Sequence, residues 1–581
     1  MRVQWLTGDT SMELPADVAR IALVLFTDED APPQATIVTV ANLDERPDGR
    51  PFLTSSLLDD LPTGRPIRLV VEGHDEVGAV DYVGHVGPLV LAPGERRFVD
   101  LKMYSTSAAA TVNSSDVSGR AAPTATELPD GRVLVAGGFD RLETMTDCPA
   151  DVPAEALCFE LAASDGAFVF DPTTGTFHPI AGGMLEARGG HTATALPGGR
   201  VLLAGGAARM LLSLTPLMPT GYAYTIRPLR EDGSEGALAT FEIFLPGANA
   251  ESIDVDRDGD PGRGAFTGAA DLATTPGRLN HERFMHAAAV VPGESARVLL
   301  AGGMGSDGGS TSFEVYDDQR PGGYGAYDAI DNRLTATRTM PSAVALTVPD
   351  PGGSIWIVGG ALATSNDELA EIWTPGDTPN GSVAPATDTF FPGAADAATD
   401  PRPEYAFVAP AAAALGGGTH AIVVDWIGPR CAPGTMMPMF PTVPDGSDTV
   451  GCGHSVPGAP GALLIDGTTG ATFPQTLMGP HAFAEAATLD GGEVLISAGL
   501  AGIDWRRQQV VEVLTGEVTV TTVATGPARN IQGRAFHAAA PLADRGMLAI
   551  GGLSVVGDPA TVSLLSAGEV LYLPRASLGS P

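Results

Sequence analysis

The stretch "RAAPTATELPDGRVLVAGG" at 120–138 returns as "RGGHTATALPGGRVLLAGG" at 188–206 and as "RFMHAAAVVPGESARVLLAGG" at 283–303. Further copies are "RTMPSAVALTVPDPGGSIWIVGG" (338–360), "AEAATLDGGEVLISAG" (484–499) and "RAFHAAAPLADRGMLAIGG" (534–552). A degenerate copy, "APAAAALGGGTHAIVVDW", occupies 409–426 and completes a series of seven. A unit that recurs at a fixed period cannot bury its own apolar face, and must stack against its neighbours. Each copy runs from a small-residue segment through a turn such as "PDG" to an apolar run closed by Gly-Gly. That pattern is a hairpin of two short strands. Alanine and glycine dominate because strands close to a crowded axis leave little room for side chains.

A third strand follows each hairpin after a spacer of variable length: "AFVF" (167–170), "FEIF" (241–244), "FEVY" (313–316), "AEIW" (370–373), "ALLI" (462–465) and "VEVL" (511–514). A fourth follows a turn, most clearly in "FVFDPTTGTFHPI" at 168–180. Four antiparallel strands repeated seven times at about 65-residue spacing predict an all-β fold, a seven-bladed β-propeller. In the last copy "VSLL" (562–565) reads as the third strand and "GEVLYLP" (568–574) as the fourth, so the ring is expected to close without a strand from the N-terminus.

The pattern R-x-x-H-x-A-x-x-L…G-R-V-L-V-x-G-G, with the later turn "DPTTGTF", resembles the kelch family in the variety found in galactose-oxidase-like propellers. The resemblance covers roughly residues 110–574 and speaks to fold rather than function. Residues 1–104 lack the repeat; "ARIALVLF", "ATIVTVANL", "RPIRLVVEGH" and "ERRFVDLKMY" read as strands of a small immunoglobulin-like β-sandwich. Residues 105–119 read as a linker, 120–574 as the propeller and 575–581 as a tail.

A formal net charge of −36 argues against nucleic acid as a partner, because a phosphate-binding face needs clustered Lys and Arg. No apolar run is long enough to span a membrane as a helix. The four cysteines form two close pairs, Cys148 with Cys158 and Cys431 with Cys452, without zinc-site spacing. Two loop-stapling disulfides, and hence an extracytoplasmic location, are expected. An export signal would then have been removed or lie outside this sequence.

In a propeller blade the 2–3 loops share one face, and here the segments 139–166, 207–237 and 427–461 are long. Both cysteine pairs fall in them, so the expected function is binding of a protein or carbohydrate by a stapled loop face. Candidate contacts there are Tyr222, Tyr224, Trp505, Arg506 and Arg507. The alternative is a carbohydrate-active enzyme, oxidase-like or epimerase-like as the resemblance implies, with its site over the axis on that same face. No GxSxG or HExxH element supports hydrolysis.

"DVDRDGD" places Asp254, Asp256, Asp258 and Asp260 at alternate positions with Gly259 at a sharp turn, like the first half of an EF-hand loop. Hard carboxylate oxygens predict a structural Ca²⁺; Ala265 stands where the closing bidentate Glu belongs, so the last ligands come from elsewhere. His191, His286 and His537 share one repeat position with Pro123 and Pro341, which predicts packing between blades rather than metal ligation. Glu242, Glu314, Glu371 and Glu512 recur on the third strand and are expected to pair with Arg188, Arg283, Arg338 and Arg534 as inter-blade ties.

Overall fold

We describe the protein from a computed structural model. It covers residues 2–6, 18–26, 34–39, 44–45, 51–52, 61–95, 100–107, 109–112, 117–216, 222–246, 264–268, 275–306, 311–319, 325–327, 332–348, 352–360, 370–376, 380–386, 409–424, 439–440, 462–475, 483–490, 492–497, 512–515, 519–522, 534–556, 560–566 and 568–573. The fold is all-β and propeller-like. Each repeat hairpin is joined by its third and fourth strands into a four-stranded antiparallel sheet. Sheet 1, for example, runs Thr124–Glu127, Val133–Ala136, Ala167–Asp171, Thr176–Pro179. The first strands of the successive sheets start at Thr124, Thr192, Ala287, Ser342, Ala411, Glu485 and Ala538. Each of these strands touches the next, and the last touches the first, so they ring a common axis.

Sheet 7 corrects the expectation about closure. Its third strand is Gly568–Tyr572, and its fourth is Ala110–Val112 from the linker, paired Gly568↔Val112, Glu569↔Thr111 and Val570↔Ala110. "VSLL" belongs instead to a separate hairpin, Leu553–Val556 with Thr561–Leu564. The N-terminal segment therefore completes the last sheet. Hydrogen bonds between distant parts of the chain hold the ends of the ring together.

Among the described residues, the N-terminal region forms one six-stranded sheet, in which Arg2–Leu6 runs parallel to Asp100–Ser105, plus a two-stranded ladder. One face of the sheet carries Val24, Val70, Val83 and Tyr104 into a shared core with Phe170, Phe177, Leu548 and Tyr572 of sheets 1 and 7. The Tyr104 hydroxyl donates to the Pro172 carbonyl at 2.8 Å, and that of Tyr572 bonds His85 Nδ1 at 3.2 Å. The sheet thus packs across the seam where the ring closes.

The repeat arginines are fully buried, and four of them are ion-paired. Arg188 meets Glu242 at 2.7 Å, Arg283 meets Glu314 at 2.8 Å, and Arg338 meets Glu371 at 2.7 Å. The fourth, Arg534, meets Glu569 at 2.7 Å, not a residue of sheet 6, which corrects its expected pairing with Glu512. The side-chain pairs lie within one sheet, also against expectation. The arginine backbone makes the inter-sheet tie: the carbonyls of Arg188, Arg283, Arg338 and Arg120 accept from the second glycine of the preceding sheet at 2.7–2.9 Å. This explains the first glycine of each Gly-Gly. A Cβ on Gly137 or Gly205 would sit 2.3 Å from that arginine carbonyl, and both have positive φ.

Arg120 is the exception. Sheet 1 carries Phe168 where sheet 2 carries Glu242, and the Arg120 guanidinium lies 4.8 Å over the Phe168 ring. Its NH1 donates to the Gly137 carbonyl at 2.8 Å.

Candidate functional site: a lidded axial channel

The long 2–3 loops do gather on one face, where they form a second structure. Phe139–Thr144 and Leu157–Ala163 come from the loop of sheet 1, Arg209–Pro216 and Tyr222–Leu229 from that of sheet 2, and Met439–Phe440 from that of sheet 5. They pair into one five-stranded sheet. Its underside, with Phe159, Leu161, Met210, Leu212 and Tyr224, shares an apolar core with Phe284, Phe483, Ala535 and Leu553 of the ring. Tyr224 from sheet 2 packs at a tilt against Phe483 from sheet 6, with ring centroids 5.4 Å apart, and Phe483 against Phe536 at 4.6 Å. Contacts between opposite sides of the ring mean that this sheet covers the end of the axis as a lid. Cys148–Cys158 is disulfide-bonded and staples the lid's first hairpin.

Under the lid the ring narrows. Ala122, Gly190, Met285, Phe483 and Phe536, two residues after the repeat arginine or its equivalent, all adopt positive φ. Met285 N–H donates to Gly190 O at 2.8 Å, Gly190 N–H to Ala122 O at 2.9 Å, and Ala122 N–H to Phe536 O at 2.7 Å. These bonds join sheets 7, 1, 2 and 3 in an arc that forms part of a collar beside the axis. The left-handed conformation costs a non-glycine residue about 1–2 kcal/mol, and it turns the backbone so that the collar can form.

Below the collar lies a cavity of about 330 Å³ enclosed by the inner strands. Its wall carries one alanine per sheet at the same register: Ala125, Ala193, Ala288, Ala343, Ala412, Ala486 and Ala539. Two residues further from the lid, Ala195 and Thr488 are exposed, so the channel opens at the end opposite the lid.

The histidines sit at the lidded end of the wall, between sheets as expected. His191 Nε2 shares a hydrogen bond with Thr124 Oγ1 at 3.0 Å, His286 Nε2 with Thr192 Oγ1 at 2.9 Å, and His537 Nε2 with Ser497 Oγ. Burial, reinforced by the neighbouring repeat arginines, lowers His286 and His537 to about 3 and His191 well below its usual value. All three rings are neutral at physiological pH.

Two carboxylates break the alanine-rich pattern. Glu485 stands in sheet 6 where the other sheets carry Thr124, Thr192, Ser342 or alanine, and its exposed part faces the cavity. Among the described residues it has no hydrogen-bonding or ionic partner, and burial raises it to about 8. Glu127, two strand positions beyond Ala125, the last cavity-lining residue of sheet 1, likewise has none among the described residues. Burial, with Asp490 and Asp130 nearby, raises it to about 7.

The residues singled out from sequence fare differently. Tyr224 is fully buried beneath the lid, a core residue rather than a surface contact, because its strand alternates its side chains inward and outward. Tyr222 lies on the same strand, opposite Phe440. Trp505, Arg506, Arg507, Cys431, Cys452, Asp254, Asp256, Asp258 and Asp260 lie outside the described residues. On the elaborated face the underside of the lid packs over Phe284, Phe483, Ala535 and Leu553, and beside that contact a pocket of about 170 Å³ is lined by Met285, Met340, Ala409, Phe483, Glu485 and Phe536. Sequence reading missed Glu485 and Glu127; aligning the repeats column by column exposes both as the carboxylates in columns otherwise small, apolar or hydroxylic.

No family model and no curated protein matches the chain. Solved structures are similar at low identity. "Structure of YjhT" aligns at 10% identity with a TM-score of 0.33, over 70% of this chain and 98% of that one. A protein of unknown function from Dyadobacter fermentans DSM 18053 aligns at 11% identity with a TM-score of 0.32, over 80% of this chain and 98% of that one. At these values the propeller-like reading rests on the sheets themselves. Among the described residues no helix is long and apolar enough to cross a membrane.

Proposed function

We propose that this chain is a seven-bladed kelch-type propeller with an immunoglobulin-like N-terminal domain, acting outside the cytoplasm as a binding protein. Its ligand sits in the axial channel. The observation that carries this reading is the axial channel, covered at one end by the lid, with Glu485 in its wall unpartnered among the described residues. Buried polar groups without partners are rare and expensive, and a ligand is one way of supplying the partner. The stapled loops then serve as the lid that covers the channel, and the ligand enters from the turn face. The disulfide supports the location, since such bonds persist in oxidising compartments. Calcium at Asp254, Asp256, Asp258 and Asp260 belongs to the same proposal as a structural ion, supported by the alternation of carboxylates. Elemental analysis of protein purified without chelators is expected to find about one calcium per chain.

The experiment is a thermal-shift screen of small molecules against the wild type and Ala343→Leu, whose added side chain fills the channel. Ligands that stabilise the wild type and lose their effect in Ala343→Leu are expected. Ligands that stabilise both equally would place binding elsewhere.

A further inference from the structure

The repeat column two residues after the arginine, or its equivalent, changes character around the ring. Sheets 1 and 2 carry Ala122 and Gly190 there, whereas sheets 3 to 7 carry Met285, Met340, Ala409, Phe483 and Phe536. Those five residues line the pocket of about 170 Å³ beside the lid contact. Met285, Phe483 and Phe536 hold φ of 50°, 56° and 53°, a strained conformation that gathers at ligand clamps. The pocket and the axial cavity share His286, Pro341, Pro410 and Glu485 as wall residues, so the two spaces meet at that level. On the lid side of the junction the wall is thioether and aromatic; on the other it is the alanine girdle. Glu485 is the one carboxyl among the described residues of either wall, and no described residue bonds it. We propose that the pocket takes a neutral aromatic ring bearing a carbonyl, the ring among Met285, Met340, Phe483 and Phe536 and the carbonyl oxygen accepting a hydrogen bond from the Glu485 carboxyl.

This rests on the reading that the axial channel is the binding site, and it specifies the ligand's chemistry. The size suits one ring, since an apolar cavity of about 150 Å³ holds benzene. Phe483 and Phe536 lie at a tilt with centroids 4.6 Å apart, and a further ring extends that edge-to-face packing. The thioethers of Met285 and Met340 adapt to a ring's outline and favour its edge. Because Glu485 stands at the junction, the acceptor is attached directly to the ring, and any further part of the ligand runs into the cavity. A sugar would set its hydroxyls against methionine and phenylalanine. An ammonium would have to displace the proton that burial keeps on Glu485 up to about 8, and a carboxylate would bring a second acid to it. At neutral pH the carboxyl is a donor, and an uncharged oxygen is its match. The sign of the pH dependence follows. A carbonyl at Glu485 needs the proton in place, so affinity is full below about 8 and falls as pH rises through it. The other titratable groups of the two walls are His191, His286 and His537, which are lowered far enough to stay neutral over that range.

The test is an NMR titration of the full chain carrying ¹³C-methyl methionine, with Met285→Leu and Met340→Leu assigning the two signals. The probes are acetophenone and benzamide, with toluene, benzylamine and benzoate as comparisons. Both carbonyl probes are expected to move the Met285 and Met340 methyl signals by ring current, and to bind at least about fivefold tighter than toluene. Their affinity should fall about tenfold between about pH 7 and 9. Glu485→Gln, which keeps an N–H donor, should retain the affinity and lose that fall, while Glu485→Ala should bind no better than toluene binds the wild type. The inference is overturned if neither carbonyl probe moves either methyl, if toluene binds as tightly, if benzylamine binds more tightly, or if the affinity does not fall towards pH 9. Ala409→Leu fills the pocket and Ala343→Leu the cavity below it, each checked for native circular dichroism. Carbonyl probes excluded by Ala409→Leu support the inference. Ligands excluded by Ala343→Leu and unaffected by Ala409→Leu leave the channel reading standing and remove this one. Probes that bind the wild type and both leucine variants alike remove both.

Discussion

Glu314 and Glu485 are both enclosed by the ring, and they differ in one respect. The first receives the Nε of Arg283 at 2.8 Å and a backbone N–H from Asn280 at 2.9 Å, as its counterparts Glu242, Glu371 and Glu569 receive their own arginines. The second receives nothing from the described residues and faces a cavity. In the ring wall Glu242, Glu314, Glu371 and Glu569 are each answered by an arginine from their own sheet, so their charge is spent on holding the sheet's geometry. In the channel the carboxyl has no partner among the described residues and keeps its proton up to about 8. The same side chain is a tie in one place and a site in the other, according to whether the chain supplies its partner.

Removing a partner from the wall should have the largest effect. Glu314→Ala leaves Arg283 buried and uncompensated, and denaturant unfolding should show a loss of about 3–5 kcal/mol. Releasing the lid comes next: replacing Cys148 and Cys158 by serine should lower stability by about 2–3 kcal/mol in the chain-entropy treatment of a short loop. Sheet 1 sharpens the contrast, because it holds its arginine without a carboxylate. Phe168→Leu keeps most of the apolar volume and removes the ring under Arg120, with an expected loss of about 1–2 kcal/mol. The channel carboxylate should give an effect of the opposite sign, one that appears only above about pH 4.5. In the folded chain Glu485 keeps its proton up to about 8, above its unfolded value, so the native state binds the extra proton and stability falls as pH rises from about 4.5 to 8. Glu485→Gln removes that decline. The variant should melt higher than the wild type at pH 8 and together with it near pH 4; equal melting at both would show that the carboxylate is not isolated.

The ring was readable in the sequence because its determinants are local: a turn between two short strands, Gly-Gly at the end of five of the seven hairpins, and Glu on five of the seven third strands. The pairing of Arg188 with Glu242 followed from recurrence, although recurrence did not say that the pair lies within one sheet. The closing strand was hidden because "ATV" is three residues long and pairs with Gly568–Tyr572, at the far end of the sequence. The lid was visible only as loop length. "LCFELAA" and "RMLLSLTP" carry strand-like alternation, but no repeat copy elsewhere marks them, and their partners lie in other sheets' loops. The collar leaves no side-chain signature, since backbone groups make it and Ala122, Gly190, Met285, Phe483 and Phe536 share nothing else. Glu485 was overlooked for the opposite reason: it sits in a well-marked column, whose regularity drew attention to the histidines beside it.

The account's central claim is that the channel is open away from the lid and turns electronegative inside as Glu485 ionises, so that charge selectivity is read near pH 9. The most direct measurement is the labelling rate of a cysteine placed in the girdle, Ala412→Cys, with positively and negatively charged methanethiosulfonates. Val77→Cys, at an exposed position of the N-terminal sheet region, supplies the reference for the overall acidity of the chain. The account predicts that folded Ala412→Cys is labelled, and that its preference for the cationic reagent exceeds that of Val77→Cys by about tenfold or more. Absence of labelling, or a preference no greater than that of Val77→Cys, would contradict it.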